Sequence, residues 1–312
     1  MKIVLLKIML LAIISTCQAQ DLFKPLPQVE SYNENIVNLG KELFYDKLLS
    51  KNQDISCYSC HYNYGADTKQ FSVGHEGNIG NMNTPSVFNL PYNLGYFWNG
   101  RSKTLKEQMV SGPLINNKEM ASSKELIEER LTTSGKYQKL FKKAYNRNPS
   151  FDRMLDAIVE YEKTLISINS KFDKYLRNEI ELDENEKNGM ELFISYGCVS
   201  CHNGINIGGN SYQKFGSVIE YKEKRASQWQ DRFSITNRPE DINVYKVPSL
   251  RNVEMTSPYF HDGSVEKLTD AIYTMAYFNI GVMLEENEIN DIESFLKTLT
   301  GEIPKNFENK ND

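Results

Sequence analysis

The pentapeptide Cys57-Tyr58-Ser59-Cys60-His61 and its echo Cys198-Val199-Ser200-Cys201-His202 constrain this chain more than any other feature. C-x-x-C-H is the pattern that attaches a c-type haem. Its two thiols add across the porphyrin vinyl groups, and the adjoining His is held under the iron as proximal ligand. A four-cysteine zinc site would need both pairs at one metal and would leave His61 and His202 unexplained. With one copy in each half of 312 residues, two haem c groups frame every other expectation.

The motif does not repeat alone. Gly40-Lys41-Glu42-Leu43-Phe44, within an apolar repeat from Asn38 to Leu48, recurs as Gly189-Met190-Glu191-Leu192-Phe193 ahead of the second motif, so a helix leads into each. Apolar spacing predicts further helices over Ser123 to Leu131, Arg153 to Ser167, Val265 to Tyr277 and Glu285 to Thr300. Asp183 to Glu186 open another with acidic residues suited to its positive end. No strand pattern is as strong. Tyr62 to Met120 is rich in Gly, Asn and Pro, and a buried porphyrin can supply the core such loops lack. Gly204 to Asp241 is polar, with no legible role. The expected fold is mainly α: two cytochrome c-like haem domains with long irregular loops, 20–166 and 167–312, parted at the polar run Ser167 to Lys171.

Residues 1–19 read as a signal peptide, with Lys2 and Lys7 before the apolar run Ile8 to Ile14 and small or polar residues up to Ala19. The run is too short for a stable membrane span, and export places the mature chain in a bacterial periplasm. Of five Cys, four sit in the haem motifs and Cys17 in the export segment, so no structural disulfide is expected. Cys17 also allows a lipidated N-terminus, though Thr16 fits a lipobox poorly. A net charge of −5 without a basic block argues against nucleic acid, and a mildly acidic surface suits a small basic redox protein as electron donor.

Four His leave two beyond the proximal pair. His75, in the glycine-flanked loop Ser72 to Gly77, is the candidate distal ligand of the first haem, against the ordinary alternative of a solvated loop His. The second haem needs a Met or His; Met275 is the candidate, against the common use of helical Met as core filler.

Leu39 to Phe44, both haem motifs, Asn83-Thr84-Pro85, Phe97-Trp98-Asn99-Gly100-Arg101, Gly112-Pro113, Glu119-Met120 and Lys246 to Asn252 through Pro258 to Gly263 together resemble the bacterial dihaem cytochrome c peroxidases. The resemblance covers nearly all of the mature chain. It implies that the first haem is the peroxide site, with His61 proximal and His75 displaceable. It implies that the second accepts electrons from a small cytochrome c or cupredoxin, with His202 and Met275 on its iron. Glu119 matches the acid-base residue of the family, Gln108 its polar assistant, and Trp98 the aromatic between the haems. Asn83 through its side chain, and Thr256 and Pro258 through carbonyls, resemble the ligands of an interdomain Ca²⁺. The family is commonly dimeric, so a homodimer is expected by analogy. Two departures stand out: Asn99 replaces a common Asp, which puts the charge near the haem bridge in doubt, and Met82 replaces a common Arg. Two rivals are a MauG-like enzyme oxidising a partner protein, which resembles a version with Tyr in place of Met275, and a dihaem electron carrier without catalysis. His261 is expected to be structural or near the electron-entry surface, and not a ligand.

Overall fold

The computed structural model describes residues 21–27, 31–221 and 230–307. The expected export segment, Cys17 included, lies outside the described residues. Among these the helices are α1 (Glu34–Tyr45), α2 (Leu105–Ser111), α3 (Lys124–Thr133), α4 (Gly135–Tyr145), α5 (Phe151–Lys163), α6 (Lys171–Leu176), α7 (Glu184–Ser195), α8 (Phe233–Thr236), α9 (Leu268–Met275) and α10 (Glu286–Lys297). Strands β1 (Tyr212–Lys214) and β2 (Val244–Lys246) pair antiparallel, so the polar excursion from Gly204 supplies one edge of a small ribbon. The fold is mainly α.

Helix starts follow their caps. Ser123 accepts from the Leu126 amide ahead of α3, and Asp183 forms a capping box with Glu186 ahead of α7. Where the helix predicted from Arg153 to Ser167 continues, α5 stops at Lys163, and Leu165 and Ile166 stay buried as irregular chain. Apolar spacing there marks burial rather than helicity. Helix α4 was not predicted, although Tyr137, Leu140, Phe141 and Ala144 repeat at helical spacing, because Lys136, Lys139, Lys142 and Lys143 dilute them.

The repeated G-x-E-L-F segment has a packing explanation. In α1, Gly40 lies where the helix crosses α5, and a Cβ there would run into the Ala157 carbonyl. In α7, Gly189 does the same against the Asp291 carbonyl of α10. Four residues on, Phe44 and Phe193 lie 6.5 and 6.4 Å from the His61 and His202 rings. Each copy thus sets a close helix crossing and then a wall of a haem site. Gly189→Ala is expected to destabilise by about 1–3 kcal/mol, the usual range for overpacking, seen as a lower urea midpoint at unchanged slope. An unchanged midpoint would mean that the crossing can open.

Two apolar cores result, one around α1 to α5 and one around α6, α7, α9 and α10. The chain ends exchange between them. Phe23 packs in the second core against Phe172 (5.4 Å), Phe193 and Phe295, while Phe307 packs in the first against Phe88 (4.8 Å) and Tyr58. The run from Ser167 is no solvated linker at its start. Ser167 is buried, and its Oγ accepts from the amides of Asn89 (2.9 Å) and Asn252 (2.8 Å). Arg251, fully buried, pairs with both carboxylate oxygens of Asp173 at 2.9 and 3.1 Å and donates to the Lys24 carbonyl.

Candidate haem sites

Around the first motif, the backbone from Cys57 to Ser59 makes one 3₁₀ turn that presents His61 inward. His61 Nδ1 lies 2.7 Å from the Gly65 carbonyl, which makes Nδ1 the protonated nitrogen and leaves Nε2 for an iron. Burial holds its pKa below the ordinary value, which keeps the ring neutral. Burial likewise pushes the Cys60 thiol up to about 11 and Cys198 to about 12. Among the described residues, no three His, Cys, Asp or Glu side chains gather closely enough to hold a metal ion.

His75 is buried, its Nδ1 lacking a hydrogen-bond partner, at the tip of a hairpin closed by Gly80 N to Ser72 O (3.0 Å) and Gly74 N to Asn78 O (2.8 Å). The hairpin has at its base Ser72, whose Oγ donates to Asp67 Oδ2 at 2.6 Å and pairs with Thr84 Oγ1 at 2.7 Å. Its tip is tied to the loop that carries Glu119: the His75 amide donates to the Glu119 carbonyl at 2.7 Å, and Gly74 sits so close to Lys118 that no Cβ would fit. The candidate distal ligand and acid-base residue are therefore joined through their backbones.

The Glu119 carboxylate accepts from Asn116 Nδ2 at 3.0 Å. Burial holds its pKa above the ordinary carboxylate value, opposed by Arg101 and by that hydrogen bond. Arg101 in turn lies over the Phe97 ring at 3.3 Å and donates to Gln230. Gln108 is part-buried on α2; Asn116 is the amide that holds Glu119. Sequence reading missed Asn116, for which the three-residue offset within one loop was the only signal. It also missed Glu162 on α5, whose buried Oε2 has no partner and whose pKa burial pushes up to about 8. Glu162 lies close enough to Cys57 and Tyr96 for its charge to raise the pKa of both.

The second motif opens onto a cavity of about 310 Å³ lined by Cys198, Cys201, His202, Met275, Phe193 and Trp98, among others. Met275 ends α9, followed by a π-helical turn, Ala276–Ile280. Of that segment Met275, and neither Tyr273 nor Tyr277, lines the cavity; those two rings stack on each other 6.0 Å apart. Burial pushes the His202 pKa down to about 4, while the Ile207 and Pro248 backbone favours its protonated form, so its ring is neutral. Gly208 passes His202 and the Pro248 carbonyl too closely for any Cβ, at a φ of +118°. An apolar cavity with two thiols, a neutral His and a thioether on its wall fits a covalently attached haem.

Trp98 belongs to the first half of the chain but lines the second cavity. Its Nε1 donates to the Asn83 carbonyl (2.9 Å), and its own carbonyl accepts from the Lys246 amide (2.7 Å). Asn83, Thr256 and Pro258 line the same cavity; the Asn83 Nδ2 turns to the Lys69 and Gln70 carbonyls, so Oδ1 points away from them. Asn99 is buried and accepts from the Arg101 amide at 3.1 Å, a bond that an Asp would also make. His261 stacks on Tyr245 at 4.0 Å, and its backbone carbonyl accepts from the Asn83 amide at 2.8 Å.

These features define the class: a mainly α c-type cytochrome with two unlike haem sites. The model of the di-haem cytochrome c peroxidase family matches residues 34–181. The cytochrome c551 peroxidase of Nitrosomonas europaea is 42% identical over 290 residues, covering 92% of this chain and 86% of its own. That of Pseudomonas aeruginosa is 40% identical, covering 92% and 87%. A crystal structure of a MauG-like protein associated with microbial copper homeostasis superposes with a TM-score of 0.80 at 27% identity, covering 93% and 97%. The chain belongs to the dihaem cytochrome c peroxidase family, and its cofactors are haem c.

Proposed function

We propose that this enzyme is a cytochrome c peroxidase that takes two electrons from a small redox protein, a cytochrome c or cupredoxin, and reduces hydrogen peroxide to two waters with two protons. The observation that carries this reading is the inequality of the two sites: a thioether lining the same cavity as His202 at one, and a buried His hairpin bonded to the Glu119 loop at the other. Bound haem supplies the electron storage and the iron position that takes peroxide. His61 and His75 would hold the first iron, and His202 with Met275 the second. Glu119, kept in place by Asn116 and Arg101, carries the proton between the two peroxide oxygens, with Gln108 as polar assistant. Trp98 fills the seam between the sites. In this reading the peroxide role belongs to 20–166 and the electron-accepting role to 167–312, although Phe23 and Phe307 each pack in the core of the other half.

Asn83 Oδ1 and the Thr256 and Pro258 carbonyls suit a Ca²⁺ at this seam, where oxygen donors and waters meet the needs of a hard cation. Export by residues 1–19 to the periplasm, as a free or lipidated protein, matches the covalent haem chemistry, and a homodimer is the expected assembly. No helix among the described residues is long and apolar enough to cross a membrane.

Mixing half-reduced holoprotein with hydrogen peroxide in a stopped flow, then with reduced cytochrome c, tests the proposal. Rapid peroxide loss coupled to cytochrome oxidation is expected. Inertness to peroxide would indicate an electron carrier, and peroxide reaction without cytochrome oxidation would indicate the MauG-like activity. Met275→His is expected to lower the potential of the second haem, because bis-His ligation favours the ferric state relative to thioether ligation. An unchanged potential would remove Met275 from the iron.

A further inference from the structure

Lys246 has chemistry that the two haem sites described so far do not use. It lines the cavity of the second motif together with Cys198, Cys201 and His202. Its Nζ donates to Asn93 Oδ1 at 3.3 Å, and among the described residues no carboxylate lies within ion-pair distance of it. Arg251, the other buried cation of the same segment, is fully paired with Asp173. Asn93 Oδ1 is shared with Asn206 Nδ2 at 3.3 Å, so the amide is a fixed, weakly basic partner.

Burial lowers the Lys246 pKa to about 8, with no neighbouring charge to offset it. Lys246 is part-buried, and an ammonium at a cavity wall with only an amide oxygen for company is left poorly solvated once the cavity is filled unless the occupant brings an anion. A haem brings two propionates. We infer that Lys246 is the counter-ion of a propionate of the second haem, and that its charge helps set that haem's potential. The inference rests on the dihaem reading of the second motif. Lys246 also bonds Trp98 through its backbone amide, so the charge is held at the seam toward the other site by β2 pairing rather than by a flexible loop. Its role is positional and electrostatic.

Reduction places an extra electron on the haem, and a nearby cation favours it. Redox titration of holoprotein carrying Lys246→Gln, Lys246→Met or Lys246→Arg, each with haem content measured, tests this. The two neutral variants are expected to lower the equilibrium constant for reducing the second haem about tenfold, or 59 mV for one electron, with the first haem unmoved. Lys246→Arg is expected to retain the wild-type value. An unchanged midpoint in a neutral variant that still carries two haems would overturn the assignment of Lys246 alone. Wild-type protein with fewer than two haems per chain would overturn the reading of the site and the inference with it. A fall of equal size in Lys246→Arg would also overturn it, since shape rather than charge would then set the potential.

Discussion

Glu119→Gln is expected to lower kcat/KM for hydrogen peroxide by about 10²–10⁴-fold, the usual contribution of a positioned acid-base group, with both haems attached. Gln keeps an oxygen for the Asn116 amide, so the loop and its tie to His75 should survive the change. What is lost is the ability to take and return a proton. The pH profile gives the sign. Burial raises the Glu119 pKa, so the carboxylate form needed to accept the peroxide proton forms only at a higher pH than for an exposed Glu. The acid limb of the wild-type profile should therefore lie above the ordinary value of about 4.3 and vanish in Glu119→Gln. Arg101→Leu removes the charge that opposes this rise, so the limb should move further up. A limb that stays put in Glu119→Gln would assign the titration elsewhere.

Asp173→Ala is expected to cost about 3–5 kcal/mol, the range for removing one partner of a buried ion pair. Arg251 would be left charged in a site closed to water, holding only the Ile205 and Lys24 carbonyls. Asp173 also accepts from the Leu26 amide, so the same change releases the lead-in that carries Phe23 into the second core. Urea unfolding of the holoprotein measures it. Replacing both residues by apolar ones of similar volume should recover much of the loss. A single-variant cost below about 1 kcal/mol, the worth of a surface pair, would contradict the described burial.

Much of this architecture was legible because the chemistry is local in the chain. The two C-x-x-C-H motifs, the duplicated helix ahead of each and the acidic helix start at Asp183 need only neighbouring residues to be read. What escaped depends on distant partners. Asn116 gains its role only when the loop folds it against Glu119, Glu162 looks like any helical carboxylate until α5 is buried, and Lys246 reads as a surface charge until β2 turns it into the cavity. The exchange of chain ends, with Phe23 in one core and Phe307 in the other, leaves no periodic trace in such short segments. Met275 drew most of its weight from the family resemblance, since a methionine at the end of a helix is ordinarily core filler.

The central claim is that the two irons differ in their axial partners, so that one stores an electron while the other can open to peroxide. Stepwise reduction of the holoprotein, followed by electron paramagnetic resonance of both ferric centres, tests it most directly. The account predicts two distinct low-spin signals, loss of the thioether-ligated one first, and conversion of the other to an open, peroxide-reactive form after one electron. A single signal type, titrating in one step with no such conversion, would contradict it.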